Sequence, residues 1–167
     1  MEFQWADPFM TTLPGRYHNA HVLVADDDHV FREIVESLLA EVGVIAHMAA
    51  HGQQALDILS EAGPDAFDLV LLDIQMPFMD GFAVTRELRS QAEFALLPVV
   101  AITAQTMDHE KQLGAEHGVT EQLCKPLDVD NFYRMLAKWI PASKQSMGRD
   151  IPFMCGAVGP AAMSQFY

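Results

Sequence analysis

What this chain has little of narrows its chemistry before any motif is considered. It holds two cysteines, Cys124 and Cys155, and no CxxC pair, which indicates neither a disulfide framework nor a cysteine zinc site. Cys124 lies in a short apolar run and reads as a small buried side chain. Basic residues are scarce: 10 Lys and Arg stand against 23 Asp and Glu, for a net charge of -13. Seven of the basic and twenty of the acidic residues fall between Ala20 and Pro141, so the whole imbalance belongs to that segment. A surface of that sign argues against nucleic acid, whose phosphates need basic contacts. No apolar run approaches the roughly 18 residues of a membrane span. The opening "MEFQWADPFMTT" lacks the basic flank and apolar stretch of a secretory signal. The expectation is a cytoplasmic protein with no membrane partner.

What is present is an alternation of short apolar runs and amphipathic stretches from residue 21 to residue 140. "HVLVA" (21–25) reads as a buried strand. Phe31, Ile34, Val35, Leu38, Leu39 and Val42 then follow helical spacing, and Gly43 closes that helix. "VIAHMA" (44–49) reads as a second strand. "GQQALDILSEAG" (52–63) reads as a helix with Ala55, Leu56 and Leu59 inward. "FDLVLLD" (67–73) is a third strand, "DGFAVTRELRSQ" (80–91) a third helix and "PVVAIT" (98–103) a fourth strand. A polar helix is expected over 107–117 and a weaker fifth strand over 119–124. Val129, Phe132, Tyr133, Leu136 and Ile140 mark a last helix. Five strands alternating with five helices predict an α/β fold, a parallel sheet with helices on both faces. The flanks differ. Residues 1–19 carry Phe3, Trp5, Phe9 and Tyr17 without periodicity. Residues 142–167 end in an uncharged stretch broken by Gly and Pro, with no recognisable output domain.

In an open parallel sheet, ligands bind beyond the carboxyl ends of the strands. Strand one is followed by Asp26, Asp27 and Asp28. Strand three ends in Asp73 and strand four in Thr103, and strand five is followed by Lys125-Pro126. Carboxylates gathered in this way need a counter-charge. Mg2+ supplies one, taking oxygen ligands from one or two carboxylates, water and phosphate. A carboxylate can also act as a nucleophile and form an aspartyl phosphate. Phosphoryl transfer then needs in-line positioning and cations around the phosphoryl oxygens. Lys125 is the candidate side-chain cation, and Thr103 a hydrogen-bond donor.

The segments "VLVADDD", "LVLLDIQMPFMDG", "VVAITA" and "CKPLD", in this order and spacing, resemble the receiver domain of two-component response regulators over about residues 20–141. "DIQMPFMDG" with "KPLDVDNFYRMLAKWI" is most similar to receivers of hybrid histidine kinases and their stand-alone relatives. The resemblance implies a (βα)5 flavodoxin-like fold. It implies Asp73 as phosphoacceptor, with Asp26, Asp27, Asp73 and the backbone carbonyl of Gln75 around Mg2+, and Thr103 and Lys125 on the phosphoryl oxygens. It further implies a small residue at Ala104 and a cis Lys125-Pro126 bond. The implied donor is a histidine kinase or histidine phosphotransfer protein, and the implied signalling face spans about residues 107–140. One position departs from the family: receivers usually carry Tyr or Phe three residues before the lysine, and here that residue is Gln122. Gln75 and Gln105, at positions that tune hydrolysis in the family, are amides and offer no strong general base.

Other residues have simpler readings. Asp28 directly precedes a helix and is expected to cap it. His18 and His21 form an HxxH that straddles a loop and a strand start, a poor metal pattern. His29 is expected on an exposed helix surface. His47, His51, His109 and His117 show no ligand spacing. Two rivals to the phosphoacceptor remain open at this level. One is a binding module of the same fold without phosphorylation, which the missing aromatic at Gln122 would suit. The other is an aspartate-nucleophile phosphatase, which needs a second acid where Gln75 stands.

Overall fold

A computed structural model describes residues 15–104 and 114–145. Five parallel strands form one sheet in the order β2-β1-β3-β4-β5. They are β1 (His21–Ala25), β2 (Ile45–Ala49), β3 (Leu69–Asp73), β4 (Val99–Thr103) and β5 (Glu121–Cys124). Four helices are described in full: α1 (His29–Glu41), α2 (Gly52–Ala62), α3 (Gly81–Ser90) and α4 (Val129–Trp139). This is the parallel α/β sheet expected from the alternating pattern, in the flavodoxin-like form that the receiver resemblance implies. Of the polar helix expected over 107–117, residues 114–116 are helical and 105–113 lie outside the described residues, with Gln105 and His109 among them. The expectations for residues 1–14 and 146–167, including Phe3, Trp5, Phe9 and Cys155, also concern residues outside those described.

Burial follows sheet position. The three inner strands β1, β3 and β4 are almost wholly buried, whereas edge strands β2 and β5 are mostly half-buried. That is why the inner strands read as continuous apolar runs and β5 as a weak one. The sheet separates two cores. On one face Val22, Val24, Leu71 and Ile102 pack with Val35 and Leu39 of α1 and Phe132 and Leu136 of α4. On the other, Leu23, Val70 and Leu72 pack with Leu59 of α2 and Val84 and Leu88 of α3.

Two helical positions differ from the periodicity. Ile34 and Val129 are 50% and 43% exposed, although both were expected inward. At 3.6 residues per turn, Ile34 lies roughly 90° from the centre of the stripe formed by Phe31, Val35, Leu38, Leu39 and Val42. It falls beyond the width that the sheet covers. Gly43 follows the helix at φ 87, and a Cβ there would meet the Tyr17 carbonyl oxygen at 2.7 Å. A glycine is needed for both reasons.

Short pieces of both flanks join the body. Tyr17, 2% exposed, belongs to the α1/α4 core, and its N–H donates to the Val42 carbonyl at 2.9 Å. Tyr17 also forms an antiparallel bridge with Gln145. The Lys144 ammonium lies 2.8 Å from the Asp68 carboxylate, which accepts the His21 N–H through its other oxygen. Among the described residues no helix is long and apolar enough to cross a membrane.

Candidate functional site

The parallel arrangement puts the carboxyl ends of β1, β3, β4 and β5 on one edge. Register brings them into contact: Ala25 pairs with Leu72, Asp73 with Ile102, and Thr103 with Cys124. The residues after β1 and at the end of β3 therefore face each other, and the chain after β5 closes the side. One carboxylate oxygen each from Asp26, Asp27 and Asp73 lies within 4.8 Å of the others. Asp26 and Asp73 are buried, at 1% and 4% exposure, whereas Asp27 is exposed. Across 99 residues of sequence, Lys125 Nζ reaches Asp26 Oδ2 at 2.9 Å and Asp73 Oδ2 at 3.5 Å.

Each side chain is held by its neighbours. Asp26 Oδ1 accepts the Asp28 N–H at 2.8 Å, and Asp73 Oδ1 accepts the Gln75 N–H at 3.1 Å. The Lys125 N–H donates to the Thr103 carbonyl at 2.7 Å, and Lys125-Pro126 is cis, as expected. Thr103 is buried at the end of β4. Asp28 turns away from the cluster: its Oδ1 accepts the N–H groups of Val30 and Phe31 as the N-cap of α1. The three adjacent aspartates therefore divide into two that face the site and one that starts a helix.

Burial is the main influence on Asp73. Together with the nearby charges of Asp26 and Asp27, it pushes the Asp73 carboxyl up to about 6, against the opposing Gln75 N–H and Lys125. Burial works against the charge of Lys125, but Asp26 and then Asp73 outweigh it and raise its pKa. Three acids and one ammonium leave excess negative charge in a partly desolvated recess. A divalent cation with oxygen ligands would relieve that excess, and the donor set is all carboxylate oxygen.

Sequence reading missed two supports of the site. Phe31 lies beneath Lys125, with Nζ 4.3 Å from the ring centroid. This is a cation–π contact worth about 0.5–1 kcal/mol at an exposed position. Phe31 stood out only as one member of an apolar stripe. The direct pairing of Lys125 with Asp26 was also missed, because its partners are distant in the chain. Gln122 is half-buried on β5, opposite Ala101. Its amide sits where a Cβ on Gly114 would have to go, so glycine and glutamine together fill this part of the edge.

The comparisons with known proteins agree with this geometry. The family model for the response regulator receiver domain matches residues 22–137. Response regulator MprA of Mycobacterium sp. (strain KMS) is 32% identical over 131 residues, covering 78% of this chain and 55% of that protein. Sensor histidine kinase RcsC of Salmonella typhi is 36% identical over 116 residues, 70% of this chain but 12% of the kinase. The chain thus spans about half the length of MprA and a small part of the kinase. Among solved structures, chemotaxis protein CheY4 of Vibrio cholerae superimposes with a TM-score of 0.65 at 31% identity, covering 72% of this chain and 98% of that one. The receiver domain of sensor histidine kinase PA1611 from Pseudomonas aeruginosa, described with magnesium in its active site cleft, has a TM-score of 0.65 at 28% identity, covering 72% and 97%. With the matched segment running from β1 through most of α4, the chain belongs to the response regulator receiver domain family.

Proposed function

We propose that this receiver accepts a phosphoryl group on Asp73 in a Mg2+-dependent reaction. The donor is the phosphohistidine of a histidine kinase or a histidine phosphotransfer protein. One observation carries this reading: the buried Asp73 carboxylate lies between two other carboxylates and the Lys125 ammonium, 3.5 Å away. Asp26, Asp27, Asp73 and the Gln75 backbone carbonyl would hold Mg2+. When bound, the ion supplies positive charge to the phosphoryl oxygens and lowers the repulsion among the acids.

This chain's own groups do the rest. An Asp73 carboxylate oxygen attacks phosphorus as the donor's P–N bond breaks in line, and the imidazole leaves with that electron pair. Lys125 and the Thr103 hydroxyl stabilise the transferred phosphoryl group. The small side chain of Ala104 leaves room for it. The new charge on Asp73 attracts Lys125 and shifts a two-state equilibrium that alters the protein-binding face at about residues 107–140. Gln122 stands on β5, within that face, where receivers usually carry an aromatic. Gln75 supplies no acid in the place where an aspartate-nucleophile phosphatase needs one, which disfavours a turnover enzyme.

The test is incubation of the full chain with Mg2+ and acetyl phosphate, followed by intact-mass measurement. The expected result is a gain of one phosphoryl group that disappears in EDTA and in Asp73→Asn. No gain, or a gain retained by Asp73→Asn, overturns the proposal.

A further inference from the structure

The sequence set His21 aside because its HxxH straddles a loop and a strand start, and His47 because it shows no ligand spacing, yet the sheet brings the two together across 26 residues. Val22, Leu23 and Val24 pair with Ala46, His47 and Met48, so His21 and His47 lie on the same face of adjacent strands. His21 Nδ1 is 3.0 Å from His47 Nε2. His21 begins β1, so the pair occupies the edge of the sheet opposite the carboxylate cluster.

We propose that His21 and His47 chelate a divalent transition-metal ion of the zinc, nickel or copper class, independently of the phosphoacceptor site. Bonds of about 2.0–2.1 Å to a tetrahedral ion place two imidazole nitrogens roughly 3.3 Å apart. The observed pair is closer by a few tenths of an ångström and faces head-on across a hydrogen bond, with ring centroids 5.3 Å apart, so an ion would take the place of the shared proton as the rings open and tilt. Asn19 Oδ1 lies 3.3 Å from His21 Nε2; in the tautomer with the proton on Nε2, Asn19 accepts it and the His21 Nδ1 lone pair accepts the His47 Nε2–H, the proton that a bound ion would displace. Metal-bound histidines are typically oriented by such an outer hydrogen bond. Phe67 packs edge-on against the His47 ring, with centroids 5.1 Å apart at 88°, and fixes its plane.

Both rings and Glu61 of α2 line an open cavity of about 530 Å3, so ion and water have access and a carboxylate stands on the wall. Asp68 is not a spare ligand, being engaged by the His21 N–H and Lys144. Imidazole nitrogen selects against Mg2+, which prefers oxygen, so the two sites would sort ions by chemistry.

The test is calorimetric titration of the full chain with Zn2+ in excess Mg2+. One equivalent per chain is expected. His21→Gln and His47→Gln should each weaken it at least tenfold, and Asn19→Gly about tenfold through the outer hydrogen bond. His18→Gln should bind as the parent does. Absence of a stoichiometric equivalent, undiminished binding by His47→Gln, or loss with His18→Gln alone overturns the site. Imidazole NMR of the unsubstituted protein with Ni2+ needs no variant to fold. The signals of His21 and His47 should broaden before those of the other histidines, and the reverse order also overturns it.

Discussion

Lys125 is held by Asp26, with Nζ 2.9 Å from Oδ2, and is farther from the Asp73 carboxylate at 3.5 Å. The ammonium therefore neutralises the most buried acid of the cluster before any phosphoryl group arrives. Lys125→Met should leave Asp26 desolvated and unpaired. Breaking a fully buried pair costs about 3–5 kcal/mol, and the partial exposure of Lys125 reduces this to about 1–3 kcal/mol. Urea unfolding in EDTA should show the loss and added Mg2+ should recover part of it. Equal loss with and without Mg2+ would contradict this account.

Asp73 makes stability depend on pH in a stated direction. Its carboxyl is raised from 3.8 to about 6 in the metal-free fold, with burial the largest cause. The folded state therefore binds the proton more tightly than the unfolded state. Its ionisation costs nothing below pH about 4, and the cost grows until the pH passes about 6, where it levels off at roughly 3 kcal/mol. In EDTA, Asp73→Asn should thus be more stable than the parent at pH 7.5 and equal to it near pH 4. The difference between their unfolding free energies isolates this group. A difference that stays flat with pH would rule the explanation out.

Asp27 and Asp28 are adjacent but should behave differently. Asp27 faces Asp73, and Asp28 caps α1. Asp27→Ala should weaken Mg2+ binding at least tenfold, about 1.4 kcal/mol, and abolish labelling by acetyl phosphate with little change in stability. Asp28→Ala should cost about 1 kcal/mol of stability, as a lost cap does, and still be labelled. Calorimetry, thermal unfolding and mass measurement on the two variants would detect any exchange of these roles.

Gly81 and Gly114 offer a second contrast. A Cβ on Gly81 would lie 2.5 Å from the Asp73 carbonyl oxygen and 2.9 Å from Ile74 Cα. Both are backbone atoms of the segment that carries the phosphoacceptor, and they cannot step aside. Gly81→Ala should cost about 1–3 kcal/mol, the usual range for overpacking, and slow labelling of Asp73. At Gly114 the obstacle is the end of the Gln122 side chain. Gly114→Ala should cost less, and Gln122→Ala in the same chain should relieve most of that cost. Denaturation of the two singles and the double gives the coupling directly.

Much of this could be read in one dimension. The apolar runs of β1, β3 and β4, the spacing in α2, the cap at Asp28 and the order of acids, Thr103 and Lys125 at strand ends depend on backbone periods and neighbouring residues. Other features depend on which face an element presents and on what lies across the sheet. Ile34 satisfies the helical spacing but falls outside the covered stripe. Tyr17 comes from an aperiodic flank, yet it is buried against Val42 and bridged to Gln145.

The alternation of strands and helices follows from residue order alone, and so does the edge on which Asp26, Asp27, Asp73, Thr103 and Lys125 gather. Periods of two and 3.6 residues, and the rule that parallel strands end on one side, are local constraints carried by the chain itself. Three pairings come from the folded arrangement instead: Lys125 with Asp26 over Phe31, Gln122 in the space beside Gly114, and His21 with His47. Those pairings join residues far apart in sequence, and strand order and register, set by packing of the whole core, determine which side chains come within reach.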